Sequence, residues 1–302
     1  MQHGMRVLLA FQARRSNMHR EDYMGYKTIL AHCNDKERLS RLLDTAAALA
    51  TTFGARLVGI SVTPPIAVIP GGMPGTPKVI VIDEHAKAYR AENPAMKSAF
   101  DKAASAHKLT AEWREEDAGS STVARTVMRH ARTVDLVIAS QTAPDWKGSL
   151  DLDIADRLAL ESGRPVLIVP NAGSRNAIPR RIVVGWTDRR EATRAVFDSL
   201  PLLLRAEKVT VVEVDPELGR EDTENRAALC ATIAHHGVTC EAGTAASRHG
   251  NVGDALLACC EQAEADLLVM GCYGHSRLRE FVLGGASRDL LAGMNLPVLM
   301  SH

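Results

Sequence analysis

Asp135-Leu136-Val137-Ile138-Ala139 and Asp266-Leu267-Leu268-Val269-Met270 decide the fold, because each is an acidic residue followed by an unbroken apolar run. Downstream of them, Arg164-Pro165-Val166-Leu167-Ile168 matches Leu296-Pro297-Val298-Leu299-Met300. Upstream, Leu57 to Val62 matches Val209 to Val214. Further upstream, Lys27-Thr28-Ile29-Leu30-Ala31-His32-Cys33-Asn34 aligns with Arg181-Ile182-Val183-Val184-Gly185-Trp186-Thr187-Asp188 when the basic residue and apolar triplet slide by one. Four segments recur in the same order, so the chain is a doubled unit.

Between these runs, apolar residues fall at helical spacing, as in Leu39, Leu42, Leu43, Ala46, Ala47 and Leu49, or Val252, Ala255, Leu256, Cys259 and Cys260. Continuous apolar strands such as Leu136 to Ala139 and Val166 to Val169 are what a parallel sheet covered on both faces requires. Each half reads as βαβαβαβαβ. The predicted class is α/β, with two tandem doubly wound five-stranded parallel-sheet domains. The expected boundaries are 26–170 and 180–302, joined by a polar linker at 171–179 that contains Asn171-Ala172-Gly173-Ser174-Arg175-Asn176. Residues 1–25, basic, Met-rich and without a period, are expected to be a flexible tail. Pro64 to Pro77, with its Pro-Gly-Gly-Met-Pro-Gly, reads as a mobile connection rather than a lid. The terminal strands Val166 to Val169 and Pro297 to Met300 would be bare edges in isolated halves, so the halves are expected to pack as an internal pseudo-dimer. A homodimer of whole chains is the further expectation.

The 302 residues carry 36 Lys plus Arg against 36 Asp plus Glu, so no net charge draws the chain to polyanions, and nucleic acid is not an expected partner. With 46% hydrophobic and 24% charged residues it is composed like a globular protein, and 4% aromatics leave the cores to Ala, Val, Leu and Ile. No apolar run approaches the roughly 18 residues of a membrane span, and Val7 to Phe11 is shorter than a secretory core of about 7 to 15, so a cytoplasmic protein without membrane contact is expected. The six cysteines form no CxxC pair and no disulfide framework; they are expected to be reduced, mostly buried, and not metal-binding.

Ligands of doubly wound sheets sit beyond the carboxyl ends of the strands where the winding reverses, between the first and fourth strands. After the fourth strand of the second half runs Gly271-Cys272-Tyr273-Gly274-His275-Ser276-Arg277-Leu278-Arg279-Glu280-Phe281-Val282-Leu283-Gly284-Gly285-Ala286-Ser287. Gly271 and Gly274 allow a low-bulk loop, and Gly284-Gly285 precede a helix expected to start near Ala286. Its backbone N–H groups and the Ser287 hydroxyl would form a phosphate cradle. The alternative is a helix cap with loop glycines and no ligand.

This pattern resembles the universal stress proteins of the UspA type, whose nucleotide-binding members carry G-x2-G-x9-G-(S/T). Gly271, Gly274 and Gly284 match with the nine-residue gap intact. The resemblance covers nearly all of residues 26–302 as two tandem domains with the adenine nucleotide alpha hydrolase-like fold. It implies that Met270, Gly271, Tyr273 and Gly274 line the ribose and phosphates, and that Gly284, Gly285, Ala286 and Ser287 hold the phosphate tail. It also implies that Asp188, after Trp186 and Thr187, lies beside the adenosine, with Val214 against the adenine. The implied ligand is ATP, with or without Mg. One departure is Gly285, where the family has Ser or Thr, which removes a hydroxyl donor that Ser287 can replace. In the first half, Ser140, Pro144, Asp153 and Asp156 stand at the corresponding places, and Asp151, Asp153 and Asp156 are expected to repel a polyphosphate. One ATP per chain is therefore expected.

Other candidates are weaker. His235-His236 read as a solvated helix end, His249 as a loop residue, Cys259-Cys260 as core, and Cys272 as loop filler. Arg277, Arg279 and Glu280 read as charged surface. No nucleophile with a base and no GxxxxGK[ST] lysine is evident, so no catalytic residue is assigned and at most slow ATP hydrolysis is expected. The leading reading is a tandem universal stress protein acting as a nucleotide-binding module. The alternatives are an adenine-nucleotide hydrolase-like enzyme, although His32-Cys33-Asn34 and Trp186-Thr187-Asp188 stand where that class has an SGG-type loop, and a nucleotide-free interaction scaffold.

Overall fold

In a computed structural model of the chain, the described residues are 25–71, 78–82, 84–143, 145–146, 148, 152–173, 178–215, 220–247, 251–272 and 290–302. The first half runs β1 (Thr28–His32), α1 (Leu39–Phe53), β2 (Arg56–Thr63), β3 (Ala67–Gly71), β4 (Lys78–Ile82), α2 (Glu84–Ala106), β5 (Ala111–Asp117), α3 (Val123–Ala131), β6 (Leu136–Ser140), α4 (Ala155–Glu161) and β7 (Val166–Val169). The second half runs β8 (Arg181–Gly185), α5 (Arg190–Asp198), α6 (Leu200–Leu203), β9 (Lys208–Val214), α7 (Arg220–His235), β10 (Cys240–Ala245), α8 (Val252–Gln262), β11 (Leu267–Gly271) and β12 (Val298–Ser301).

Ten strands form one sheet in the order β10-β9-β8-β11-β12-β7-β6-β1-β2-β5. Within each half the neighbours are parallel, and the halves meet where β7 and β12 pair antiparallel, Val166 opposite Met300 and Ile168 opposite Val298. Each half therefore has its winding reversal at one place, β1 beside β6 and β8 beside β11. The central strands earn their burial by composition: every residue of β6 and β7 is buried, as parallel strands covered on both faces must be. The outer strand β5 instead carries Glu112, Arg114, Glu115, Glu116 and Asp117, charges that keep a bare edge from recruiting another strand.

The repeated aspartates have a shared task. Asp135 accepts from the N–H groups of Lys27 and Thr28, each at 2.8 Å. Asp266 accepts from those of Arg180 and Arg181 at 2.9 and 3.1 Å. Each carboxylate ties the start of its half's fourth strand to the start of the first, satisfying amides that no ladder partner reaches. Helix α1 buries Leu39, Leu42, Leu43, Ala46, Leu49 and Phe53 on one face and stops at Gly54, which takes the left-handed conformation at φ 60° and returns its N–H to the last turn.

Three sequence expectations change. The Pro64 to Pro77 stretch is not simply a connection, since Ala67–Gly71 is a strand paired antiparallel with Lys78–Ile82; a short Val68-Ile69 run beside Pro-Gly-Gly gave too little pattern to read. The two predicted sheets are one sheet, because β7 and β12 complete each other's hydrogen bonds. The alignment of the halves also shifts. Ile29 lies opposite Leu136 and Ile182 opposite Leu267, so Asp35, not Asn34, is the counterpart of Asp188. The expected tail at 1–25 lies outside the described residues apart from Gly25, and residues 174–177 of the linker lie outside them as well. Among the described residues, no helix is long and apolar enough to cross a membrane.

Candidate functional site

At the second reversal, the chain leaves β8 through Trp186, Thr187 and Asp188 and leaves β11 through Gly271 and Cys272, with Gly185 paired to both Met270 and Val212. The structure thus brings Trp186, Thr187, Asp188, Met270 and Gly271 to one end of the sheet, with Val214 at the end of β9. Asp188 is exposed, and its carboxylate accepts from Asn225 of α7 at 3.3 Å. Thr187 is exposed too, its carbonyl accepting from the Arg189 amide at 2.7 Å. Trp186 belongs to the core and gives its amide to the Val212 carbonyl. Met270 and Val214 are half-buried.

Gly271 has a reason of its own to be glycine. A Cβ there would lie 2.5 Å from the Ala192 nitrogen and 2.5 Å from the Glu191 carbonyl carbon, so only glycine lets the first turn of α5 rest against the end of β11. Tyr273, Gly274, Gly284, Gly285, Ala286 and Ser287 lie outside the described residues, as do His249, Arg277, Arg279 and Glu280. Asn225 and the buried Arg226 pair with Glu213 are additions from the structure, placed there by α7. No sequence signal marked them, because α7 shows no clear amphipathic period.

Other sequence candidates fall where their chemistry suggests. His235 and His236 are exposed at the end of α7. Cys260 is buried, and burial pushes its thiol up to about 12. Burial does the same to Cys272, whose thiol goes up to about 12 while donating to the Ser301 and Ala159 carbonyls, a poor state for a nucleophile. Among the described residues no three His, Cys, Asp or Glu side chains are grouped to hold a metal.

The first reversal, beyond β1 and β6, is filled by the chain itself. Asp35 accepts from Arg38 Nε at 2.6 Å and from the Glu37 amide at 2.9 Å. The same guanidinium donates to the Gln141 carbonyl at 2.7 Å and to Asp153 at 2.8 Å, and stacks 4.5 Å from the centre of the Trp146 ring. Asp153, its side chain fully buried, also accepts from the Ala143 amide and from Asn34 Nδ2. Gln141 then reaches across the seam, donating to the Leu291 carbonyl at 2.6 Å and accepting from the Asn171 amide. Asp153, expected to repel phosphate, is thus paired with Arg38, a guanidinium that it shares with Asp35. Burial raises the pKa of Asp156 above the ordinary carboxylate value. Pro144 and Asp151 lie outside the described residues. Beside the network, burial and then the charge of Arg38 lower His32 to about 3, and its Nε2 has no partner.

A ten-stranded sheet of two like-wound halves defines a tandem doubly wound α/β protein. Residues 179–302 match the model of the Universal stress protein family, so the second half of the chain is a domain of that family. A universal stress protein from Archaeoglobus fulgidus DSM 4304 superposes with a TM-score of 0.70 over 91% of this chain and 95% of its own, at 15% identity. A functionally unknown protein from Pseudomonas aeruginosa PAO1 superposes with a TM-score of 0.53 over 92% and 93%, at 13% identity. Both alignments span both halves, and at such identities they establish the fold. No curated protein matches the sequence.

Proposed function

We propose that the second half binds one adenine nucleotide, ATP with or without Mg, and that the protein works as a nucleotide-responsive binding module rather than as an enzyme. The carrying observation is the exposed Asp188 at the reversal, next to the strand end that opens the Gly271, Gly274, Gly284 pattern. A carboxylate whose one hydrogen bond among the described residues is a long contact to Asn225 is available to ribose hydroxyls. Thr187 and Val214 flank it, and the glycine-rich segment would supply backbone donors to the phosphates. Little or no turnover fits the raised thiol of Cys272 and a sequence without a P-loop lysine.

In this reading the antiparallel β7–β12 seam makes the two halves an internal pseudo-dimer, one half binding and the other closed. Calorimetric titration with ATP tests the reading. One site per chain is expected, lost in Gly274→Glu, where a side chain and a negative charge enter the phosphate space. Two sites, or unchanged binding by Gly274→Glu, would place the site elsewhere. Saturable phosphate release that survives extensive purification would make the protein a hydrolase instead.

A further inference from the structure

Asp153 is held as a bound anion is held. Its Oδ1 accepts from Arg38 at 2.8 Å and from Asn34 Nδ2 at 3.0 Å, while Oδ2 accepts from the Ala143 amide at 2.8 Å. A guanidinium and a side-chain amide from the connection after β1 and a backbone N–H from the connection after β6 converge on one planar oxyanion, the donor set by which proteins hold carboxylates and phosphates. Nothing of the carboxylate reaches solvent.

Two of the three donors are also held by groups other than Asp153. Arg38 is anchored through Nε on Asp35, through a second nitrogen on the Gln141 carbonyl, and by its face on Trp146. Asn34 Nδ2 is also bonded to the Leu152 carbonyl at 2.9 Å. The pocket stands at the carboxyl ends of β1 and β6, where a doubly wound sheet places its ligand. We propose that the first-half crevice is a preformed oxyanion pocket whose resident ligand is the chain's own Asp153 carboxylate, and that it accepts a small free oxyanion once that carboxylate is removed. The vacated volume is that of one carboxylate, so the matching ligand is a planar monocarboxylate.

Chemical rescue tests this without any nucleotide, so its outcome is independent of the reading of the second half. Asp153→Ala is unfolded thermally in sodium formate and in sodium chloride of equal ionic strength. In chloride its midpoint is expected to fall roughly 5–10 °C below the parent chain, the shift of a few lost buried contacts in a protein of this size. Formate is expected to restore at least half of that loss, and phosphate, being bulkier, less. The parent chain and Asp153→Asn, whose side chains still fill the pocket, are expected to melt alike in both sodium salts. Equal midpoints of Asp153→Ala in the two salts would overturn the proposal, as would an equal formate effect on Asp153→Asn. If Asp153→Ala yields no folded protein, the refolding yield of Asp153→Ser in the two salts takes its place, and equal yields overturn the proposal in the same way.

Discussion

The two reversals of the winding have the same backbone and opposite contents. At the first, the aspartate after the leading strand is Asp35, locked by Arg38 into a network that also holds Asp153, Gln141 and Trp146. At the second, the matching aspartate is Asp188, exposed and touched by Asn225. The residue three positions on makes the difference: Arg38 in the first half has Glu191 as its counterpart, and Glu191 pairs with its neighbour Arg190 instead of reaching across the crevice. The architecture occurs twice. A single arginine, with a carboxylate to receive it, closed one copy.

The comparison breaks most sharply at Arg38. Arg38→Met leaves the fully buried Asp153 carboxylate with neutral donors alone, and truncating one partner of a buried pair costs about 3–5 kcal/mol. Denaturant unfolding should show that loss in Arg38→Met, measured against the parent, and not in Asp188→Ala. A loss below about 1 kcal/mol would mean that the clasp is a surface pair in effect.

Next in size is Gly271, whose counterpart by strand register is Ser140. Gly271→Ala drives a methyl into the backbone of α5 at 2.5 Å, an overpacking expected to cost about 1–3 kcal/mol and to fall at the upper end because backbone must yield. Ser140→Gly should cost less, since no backbone blocks the first-half position. Equal effects in the two would remove the close helix approach as the reason for glycine.

One pH effect belongs to the first half, where His32 stands in place of Gly185. Burial lowers its pKa from 6.5 to about 3, so between those values the unfolded chain takes up a proton that the folded chain refuses. Stability from this group is complete above pH 6.5 and is lost as the pH falls toward 3, at about 1.4 kcal/mol per unit at most. His32→Leu, with similar bulk and no proton to bind, should flatten the acid limb of the stability curve. An unchanged limb would show that the acid sensitivity lies elsewhere.

The smallest effect on stability is expected at Asp188. Asp188→Ala removes an exposed carboxylate with one long contact among the described residues and should change stability by no more than about 0.5 kcal/mol. If the proposed site is right, ATP binding weakens tenfold or more, the value of one hydrogen bond to a charged group. Unchanged affinity would move the adenosine away from this strand end.

Much of this was legible in the chain. The repeated Asp-apolar runs gave the strands, their burial and the doubling, because a parallel strand covered on both faces must be apolar throughout. Asp135 and Asp266 were visible as repeat markers, but their task of capping the first strand of each half depends on which strands lie side by side. The shift that makes Asp35 the partner of Asp188 was hidden, since an apolar triplet slides by one residue without changing its composition. The hairpin Ala67–Gly71 with Lys78–Ile82 was missed because short apolar runs beside proline and glycine carry little period.

The sequence by itself determined the alternation of strand and helix, the two halves and the glycine pattern of the second, for these depend on composition and spacing along the chain. Tertiary structure decided the rest. That β7 and β12 fuse two sheets into one, that Gly271 makes room for α5, and that Asp153 fills the first crevice while Asp188 stays open are facts about residues far apart in sequence. Hydrogen bonds and excluded volume act between neighbours in space, and no local pattern records who those neighbours are.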